Sequence, residues 1–277
     1  MAYETIVYEP GTIARVILNR PEKLNAQSWT MLEEMDDAFN RAAQDNDVRV
    51  IVLSGEGRAF SAGHDLDSEE ALAVRRQRQT PLNSFGRSQQ LKEIYTDSHL
   101  RWRDLPKPTI AMVHGYCVYG GWMIASAMDF IFAAEDALFI PTYGDYFTTS
   151  WDVGIRKAKE ILFENTFMTA NEAMTWGFVN RVYLPDELEK RTMKYADRVA
   201  AQDPFNTRTI KFQLNQTQDN MGFSTSVRSG AAYFIQRGTA RPPEATTGAP
   251  STPQQGRFRN LAAQAMEYLR QDREPES

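Results

Sequence analysis

The chain has 277 residues, 42% of them hydrophobic and 24% charged, and its formal net charge is -5. This length allows one large domain, with or without a smaller appendage, and the hydrophobic fraction suffices for a substantial core. A nucleic-acid-binding protein needs a basic excess to neutralise phosphates, and this chain has none. We therefore expect no nucleic-acid partner.

The cysteine and histidine content argues against disulfides and metals. The only cysteine is Cys117, which excludes an intramolecular disulfide and a cysteine-based metal site. The three histidines lack the spacing of a metal site. The first residues contain no basic stretch followed by an apolar run, and no apolar stretch is long enough to span a bilayer. We expect a cytoplasmic protein with neither a metal nor a membrane partner.

Strands and helices alternate in the first half of the chain. Short apolar, β-branched runs predict strands at 13–18, 48–54, 109–113 and 130–133. Apolar residues at helical spacing predict helices at 28–45, 91–102 and 121–128. The polar region 67–103 reads as an excursion over the surface. This alternation is typical of a parallel sheet with crossover helices and indicates an α/β fold.

The second half of the chain is predicted to be mainly helical. Thr169-Ala-Asn-Glu172 has the form of a capping box, and Gly177 stands where that short helix should stop. From about residue 185 the chain reads as helical to about 236. Residues 238–255 are rich in Pro, Thr and Gly, which predicts an extended or disordered segment. An apolar stripe then predicts an amphipathic helix at 257–270.

Two glycine-containing turns carry most of the chemical information. Phe60-Ser-Ala-Gly-His-Asp-Leu66 and His114-Gly-Tyr-Cys-Val-Tyr-Gly-Gly121 each read as a strand that ends in a turn. Such turns expose backbone N–H groups that no strand or helix partner has claimed. Two of these groups pointing at one carbonyl oxygen would form an oxyanion hole. This chemistry needs no particular side chain, only glycine where backbone segments must approach closely.

These turns belong to a longer series of motifs. In chain order they are 19–26 (NRPEKLNA), 50–55 (VIVLSG), 59–66 (AFSAGHDL), 107–115 (KPTIAMVHG), 120–121 (GG) with Asp129, and 169–188, which includes Trp176-Gly-Phe-Val-Asn-Arg-Val-Tyr-Leu-Pro185. The series covers roughly the first 235 residues. In this order the motifs resemble the enoyl-CoA hydratase/isomerase superfamily, also called the crotonase family.

The resemblance implies an α/β fold: a crotonase-like spiral of ββα units with a C-terminal helical trimerisation region. On this basis we expect a core at 1–185 that holds the CoA and acyl site. Residues 186–237 would form a helical oligomerisation region, and 238–277 a proline-rich strap with a terminal amphipathic helix. A homotrimer is expected, or two trimers paired as a hexamer.

The resemblance also implies an acyl-CoA substrate, with coenzyme A as part of the substrate rather than as a separate cofactor. In the family, the two oxyanion donors are backbone N–H groups that fall here on His64 and Gly120. The helix beginning near Gly121 would add its positive N-terminal dipole. Residues expected to line the CoA and acyl groove are Lys23, Leu24, Ala62, His64, Asp65, Leu66, Tyr116, Gly120, Gly121, Met123, Pro141 and Thr142.

The chain departs from the family at the acid/base positions. Well-studied hydratases carry two glutamates where this sequence has Met123 and Thr142, and neither of these side chains transfers a proton near neutral pH. Asp145, flanked by Tyr143 and Tyr146, lies in the altered loop that follows and is the candidate replacement. A loop aspartate is more often a turn former than an acid/base group. The imidazole of His64 either enters the acyl pocket as a base or points at solvent.

Several functions fit these residues. We expect an acyl-CoA-processing enzyme of the family that uses a backbone oxyanion hole without the two usual glutamates. An orthodox enoyl-CoA hydratase stays open. So does a hydrolase or decarboxylase acting on a CoA thioester or a β-diketone, as does a non-catalytic CoA-binding member of the family.

Overall fold

A computed structural model describes residues 3–66, 68–79 and 82–240 of the protein. Within these residues the strands are β1 (Ile6–Glu9), β2 (Ile13–Leu18), β3 (Val50–Gly55), β4 (Thr109–Val113), β5 (Tyr116–Val118), β6 (Phe130–Ala134), β7 (Leu138–Ile140), β8 (Met168–Thr169) and β9 (Arg181–Tyr183). The α-helices are α1 (Trp29–Gln44), α2 (Glu69–Gln79), α3 (Ser84–Lys92), α4 (Ser98–Arg103), α5 (Gly120–Ser126), α6 (Thr149–Asp152), α7 (Ile155–Glu164), α8 (Ala170–Thr175), α9 (Leu188–Ala200), α10 (Pro204–Asn220) and α11 (Phe223–Ala240).

The larger sheet has six strands in the order β1-β2-β3-β4-β6-β9. Strand β1 pairs antiparallel with β2, and every other pairing in this sheet is parallel. Helix α1 covers one face with its buried apolar stripe, and α9 covers the other face through Leu188 and Ala196. Because both faces are covered, β3 and β4 are apolar almost throughout.

The smaller sheet, in the order β5-β7-β8, forms a second layer next to the larger one. Strand β5 runs parallel to β7, while β7 and β8 are antiparallel. In the segment β4-β5-α5, two consecutive strands belong to different sheets and are followed by a helix. This is the ββα unit implied by the family resemblance, and the sequence-based prediction of the fold is confirmed.

Most predicted elements are present with small shifts at their ends. Ser28 caps α1 by accepting a hydrogen bond from the Met31 amide. The capping box of α8 is complete, and Gly177 follows that helix with φ +90°. Strand β5 lies in the segment 114–121 that the sequence predicts to be a strand, whereas the short strands β1, β7, β8 and β9 were not predicted. Within the excursion at 67–103, residues 69–79 and 84–103 are helical.

Three helices follow the sheets, as the sequence predicts. Helix α11 continues to Ala240 and thus enters the segment predicted to be extended from residue 238. The remainder of the proline-rich strap and the predicted terminal helix at 257–270 lie outside the described residues. The division at 185 and 237 into core, oligomerisation region and strap stays a prediction.

Candidate active site

Three motif segments lie side by side and build the site from backbone. The Ala62 amide donates to the Leu24 carbonyl at 2.9 Å. The Gln27 amide donates to the Gly63 carbonyl, and the Asp65 amide donates to the Gln27 carbonyl, both at 2.8 Å. On the other side, the Ser61 amide donates to the Tyr116 carbonyl at 2.9 Å. Residues 24–27, 59–65 and 115–121 therefore form one continuous hydrogen-bonded surface.

Glycines allow the two predicted turns to touch. Gly63 has φ +91°, and a Cβ there would lie 2.9 Å from the Val118 oxygen and 3.1 Å from the Gly120 amide nitrogen. A Cβ on Gly121 would lie 2.6 Å from the Ser61 oxygen. These distances are too short for any side chain, so the turns meet only because both carry glycine.

The N-terminus of α5 lies at this contact. Gly120 is the first residue of the helix, so its N–H has no acceptor within the helix. The preceding residue, Tyr119, holds φ +50°, a left-handed conformation that is uncommon for a residue with a side chain. The Tyr119 amide donates to the Ile140 carbonyl at 2.9 Å, which ties this strained turn to β7. The backbone of Gly120 is thus held in a fixed orientation beside Gly63 and His64.

The His64 side chain turns toward the same point. A Cβ on Gly120 would lie 2.9 Å from both Cε1 and Nδ1 of the His64 ring, and 2.8 Å from Oε1 of Gln27. Burial, aided by the positive charge of Arg75, lowers the pKa of His64 to about 3. The imidazole is therefore neutral at physiological pH and is a weak base, which disfavours it as the proton acceptor.

Tyr95 forms the next layer and was not identified as a site residue in the sequence. Its ring centroid lies 4.3 Å from that of His64, and its hydroxyl accepts a 2.7 Å hydrogen bond from Trp29 Nε1. Tyr95 lies in a π-helical turn, Glu93–Asp97, between α3 and α4, where the Ser98 amide donates to the Glu93 carbonyl. Such turns often occur at functional sites, but no sequence pattern announces them.

Asp145 lies next to this layer. Its carbonyl accepts a 2.9 Å hydrogen bond from Thr96 Oγ1, and its carboxylate contributes to the raised pKa of Tyr95, which burial mainly causes. Burial also raises the pKa of Asp145 to about 6. A carboxyl group with this pKa can both accept and donate a proton near neutral pH. The loop aspartate is therefore suited to acid/base work.

The two positions where hydratases carry glutamate are filled by uncharged side chains. Met123 is 1% exposed and packs in the main core, and Thr142 is 9% exposed. The Thr142 hydroxyl accepts from the Gly144 amide at 3.3 Å, and its carbonyl accepts from Thr149 Oγ1. Thr142 therefore holds the loop and Met123 packs in the core, and neither offers a titratable group.

The remaining predicted groove residues are distributed around the turns. Lys23 forms an ion pair with Glu70 at 3.1 Å, and Leu66 is half exposed. Asp65 is buried and binds Arg20 at 2.9 Å, so its role is structural. Leu24, Ala62, Gly121 and Pro141 lie in or beside the turn segments, and Tyr116 begins β5.

The two tyrosines that flank Asp145 differ in position. Tyr143 is half exposed, whereas Tyr146 is fully buried with its ring 5.2 Å from that of His99. Burial raises the pKa of Tyr146 well above its usual value and lowers that of His99, so both are neutral at pH 7. Neither tyrosine is positioned by a contact to the Asp145 carboxylate among the described residues.

A second carboxyl group, that of the partly buried Asp152, was also missed in the sequence. It accepts hydrogen bonds from Trp122 Nε1 at 3.0 Å and from Thr148 Oγ1 at 2.6 Å. Burial raises its pKa to about 7. Asp152 borders a cavity of about 690 Å³ between α10 and the end of β6. Neither His64 nor Gly120 lines this cavity, so it is separate from the two glycine-containing turns.

The described residues contain no membrane-spanning helix and no metal-binding cluster. No described helix combines the length and apolar character that crossing a bilayer requires. No cluster of three or more His, Cys, Asp or Glu side chains with metal-binding geometry occurs in the described part of the chain.

Comparison with known proteins identifies the family. Residues 9–229 match the family model described as enoyl-CoA hydratase/isomerase. A Mycobacterium tuberculosis protein that carries the name of an enoyl-CoA hydratase, EchA13, is 38% identical over 244 residues, which is 81% of this chain and 76% of that protein.

Solved structures agree with this match. The crystal structure of a probable enoyl-CoA hydratase from Mycobacterium thermoresistibile has 40% identity and a TM-score of 0.76, covering 83% of this chain and 93% of that one. An enoyl-CoA hydratase/isomerase from Xanthobacter autotrophicus Py2 has 30% identity and a TM-score of 0.76, covering 99% and 100%. The chain described here therefore belongs to the enoyl-CoA hydratase/isomerase family, the crotonase superfamily.

Proposed function

We propose that this protein forms an enolate from a bound acyl-CoA thioester and moves a proton at the acyl chain with a single carboxyl group, Asp145. The reaction that one such group serves best is the isomerisation of a 3-enoyl-CoA to a 2-enoyl-CoA, in which the double bond moves from C3–C4 to C2–C3. The observation that carries this proposal is the raised pKa of Asp145, next to turns that bring His64 and Gly120 together.

The backbone N–H groups of His64 and Gly120 would bind the thioester oxygen. The close approach of Gly63 to the Gly120 amide, and the position of Gly120 at the first turn of α5, support this assignment. Negative charge accumulates on that oxygen as the α-proton leaves, and donors held in place need no reorganisation. Each such donor contributes about 3 kcal/mol to the stability of the transition state.

Asp145 would act as base and then as acid. Its carboxylate removes a proton from C2 of a 3-enoyl thioester, and the electron pair of the broken C–H bond moves through the carbonyl carbon onto the bound oxygen. The carboxylic acid then returns the proton to C4, and the electrons form the C2–C3 double bond. The step is balanced within the substrate and Asp145, so it requires no second reactant.

Hydration is the less favoured alternative. Adding water to a 2-enoyl thioester requires one group to activate the water and one to deliver the α-proton. Met123 and Thr142 supply neither at the positions where the family carries its glutamates. A single carboxyl group with its pKa near neutrality matches proton transfer within one substrate more closely.

We also propose that the protein assembles through its C-terminal helices. Helix α10 exposes several large apolar side chains, and a surface of this kind is typical of a protein–protein contact. They are Phe205, Ile210, Phe212 and Leu214, which are 55–75% exposed. A homotrimer, or a hexamer of two trimers, would cover them.

The experiment that tests the function is liquid chromatography coupled to mass spectrometry of an acyl-CoA panel incubated with the protein in normal and heavy-oxygen water, in which the chromatography separates 3-enoyl from 2-enoyl isomers of equal mass. The proposal predicts 2-enoyl products of unchanged mass from 3-enoyl-CoA, without uptake of heavy oxygen. A mass gain of one water identifies a hydratase, free CoA identifies a hydrolase, and loss of carbon dioxide identifies a decarboxylase. Any of these as the main product, or binding without turnover, would contradict the isomerase proposal.

A further inference from the structure

Arg75 places a positive charge at the edge of the candidate active site. It lies in α2, the helix that follows the His64 turn, and its side chain is partly buried. Its Nη2 donates to the Asp65 carbonyl at 3.2 Å, and its guanidinium carbon is 5.5 Å from the centroid of the Trp29 ring. The charge acts on His64 and Tyr95, and it contributes to lowering the pKa of His64.

Nearby arginines have carboxylate partners, whereas Arg75 has none among the described residues. Arg78 of the same helix forms an ion pair with Glu33, and Arg20 binds Asp65. Among the described residues, no carboxylate oxygen lies within 4.0 Å of the Arg75 guanidinium. Its Nε is buried and has no hydrogen-bond partner in the same part of the chain.

A partly buried cation without a counter-ion is costly. Moving a charge out of water carries a desolvation penalty that an opposite charge normally offsets. The Trp29 ring supplies a cation–π contact, which recovers only part of this penalty. The arrangement therefore suits an anion that arrives with a ligand.

The hydroxyl of Tyr95 points to the same kind of ligand. It accepts a hydrogen bond from Trp29 Nε1 at 2.7 Å, and the Arg75 guanidinium acts on it as well. Indole N–H and guanidinium groups can only donate. A tyrosine hydroxyl bordered by two donors has its own proton to give, and an anionic oxygen is the best acceptor for it.

We propose that Arg75, together with the Tyr95 hydroxyl, binds a carboxylate carried by the acyl group of the substrate. The substrate class would then be CoA thioesters of dicarboxylic acids. This inference rests on the proposed function, because it takes the His64 and Gly120 turns as the thioester site. The His64 ring adjoins both Gly120 and Tyr95, and the Arg75 charge acts on the His64 and Tyr95 rings, so Arg75 lies near the proposed thioester site.

The phosphates of coenzyme A are the other anion that Arg75 could meet. They are separated from the thioester by the whole pantetheine arm, whereas Arg75 acts on His64, which adjoins Gly120, and on Tyr95, which lies against His64. The acyl carboxylate is therefore the better match in position. The two anions can be separated by experiment, because free CoA carries the phosphates without an acyl group.

The test is isothermal titration of the full chain with two matched ligand pairs and free CoA. Succinyl-CoA and butyryl-CoA differ only by a carboxylate in place of a methyl group, and so do glutaryl-CoA and valeryl-CoA. The proposal expects at least one carboxylate ligand to bind about tenfold or more tightly than its methyl partner. Arg75→Gln should remove this preference and leave butyryl-CoA and CoA binding unchanged.

Two further variants control the experiment. Arg78→Gln removes a cation from the same helix that is already paired with Glu33, so it should keep the preference. Arg75→Lys keeps the charge without the bidentate geometry and should retain an intermediate preference. This result would show that the loss in Arg75→Gln comes from the missing charge and not from a folding defect.

Three results would overturn the inference. Equal binding within both pairs by the wild-type protein would show that no acyl carboxylate is recognised. An equal loss for all ligands, including free CoA, in Arg75→Gln would assign Arg75 to the phosphates. Failure of every CoA compound to bind would remove the proposed function too, whereas unselective binding would remove only the carboxylate assignment.

Discussion

The His64 ring lies directly over the α-carbon of Gly120, so close that a methyl group on that carbon would come within 2.9 Å of two ring atoms. Through this contact the His64 side chain fixes the distance between its own turn and the turn that contains Gly120. The two backbone amides proposed to bind the thioester oxygen belong to these same two residues. The geometry of the proposed oxyanion site therefore depends on residue 120 having no side chain beyond a hydrogen atom.

Gly120→Ala should lower kcat roughly 10²–10³-fold, the effect of displacing one oxyanion donor. The added methyl group would push His64 and Gln27 away from the turn, so the two N–H groups would no longer point at one oxygen. Gly11→Ala is the control, because a Cβ there meets only the Ile13 oxygen at 3.5 Å. Steady-state kinetics and the melting temperature of both variants check this. Equal activity of the two variants would contradict the proposed role of the turn.

Asp65→Asn should destabilise the protein by about 3 kcal/mol, because it removes the buried counter-ion of Arg20 and leaves only the half-exposed Glu70 carboxylate at 3.2 Å. Both side chains are nearly inaccessible to water, at 6% and 4% exposure. Glu160→Gln removes an exposed ion pair with Lys157 and should change the free energy of unfolding by less than about 0.5 kcal/mol. Unfolding in guanidinium chloride measures both. If the two variants lose the same small amount, Asp65 does not stabilise the turn.

The sequence predicted much of this fold and the backbone part of the site. The six motifs are local, and each marks a turn or a buried strand that the structure contains. The residues around Asp145 were harder to predict, because they meet only in three dimensions. Tyr95 reaches His64 from a π-helical turn, and Asp152 becomes notable only through its burial beside Trp122. Neither feature has a sequence signature.

Asp152 should make stability depend on pH. Burial raises its pKa to about 7, above the usual value that it regains on unfolding. Between about pH 4 and 7 the unfolded chain therefore binds fewer protons at this group than the folded chain, and the stability it contributes falls as pH rises. Asp152→Asn cannot ionise, so it should lose this dependence.

The measurement is the free energy of unfolding of both proteins from pH 4 to pH 8. Because Asn alters the hydrogen bonds from Trp122 and Thr148, a constant offset between the proteins is expected as well. The difference should shift in favour of the variant as pH increases. A difference that is the same at every pH would show that Asp152 ionises normally in the folded protein.

The proposed trimer can be tested on α10. Phe212 is 67% exposed, and its replacement by lysine should prevent assembly because a charge would be buried in an apolar contact. Gln213→Lys adds the same charge at an exposed polar position of the same helix and should leave assembly unchanged. Size-exclusion chromatography with light scattering gives the masses. A wild-type mass of one chain would refute the assembly proposal.

The proposed chemistry depends above all on Asp145 removing a proton from the α-carbon of a bound thioester. The most direct test is deuterium uptake from D2O at the α-carbon of an acyl-CoA that the protein binds, measured by mass spectrometry for the wild type, Asp145→Asn and Asp186→Asn, an exposed control. We predict uptake by the wild type that increases as pH rises through about 6, because Asp145 must be ionised to act as base.

Asp145→Asn should slow this uptake by about 10²-fold or more, and Asp186→Asn should match the wild type. Uptake by Asp145→Asn at the wild-type rate, or no uptake by a wild-type protein that binds the thioester, would contradict the account.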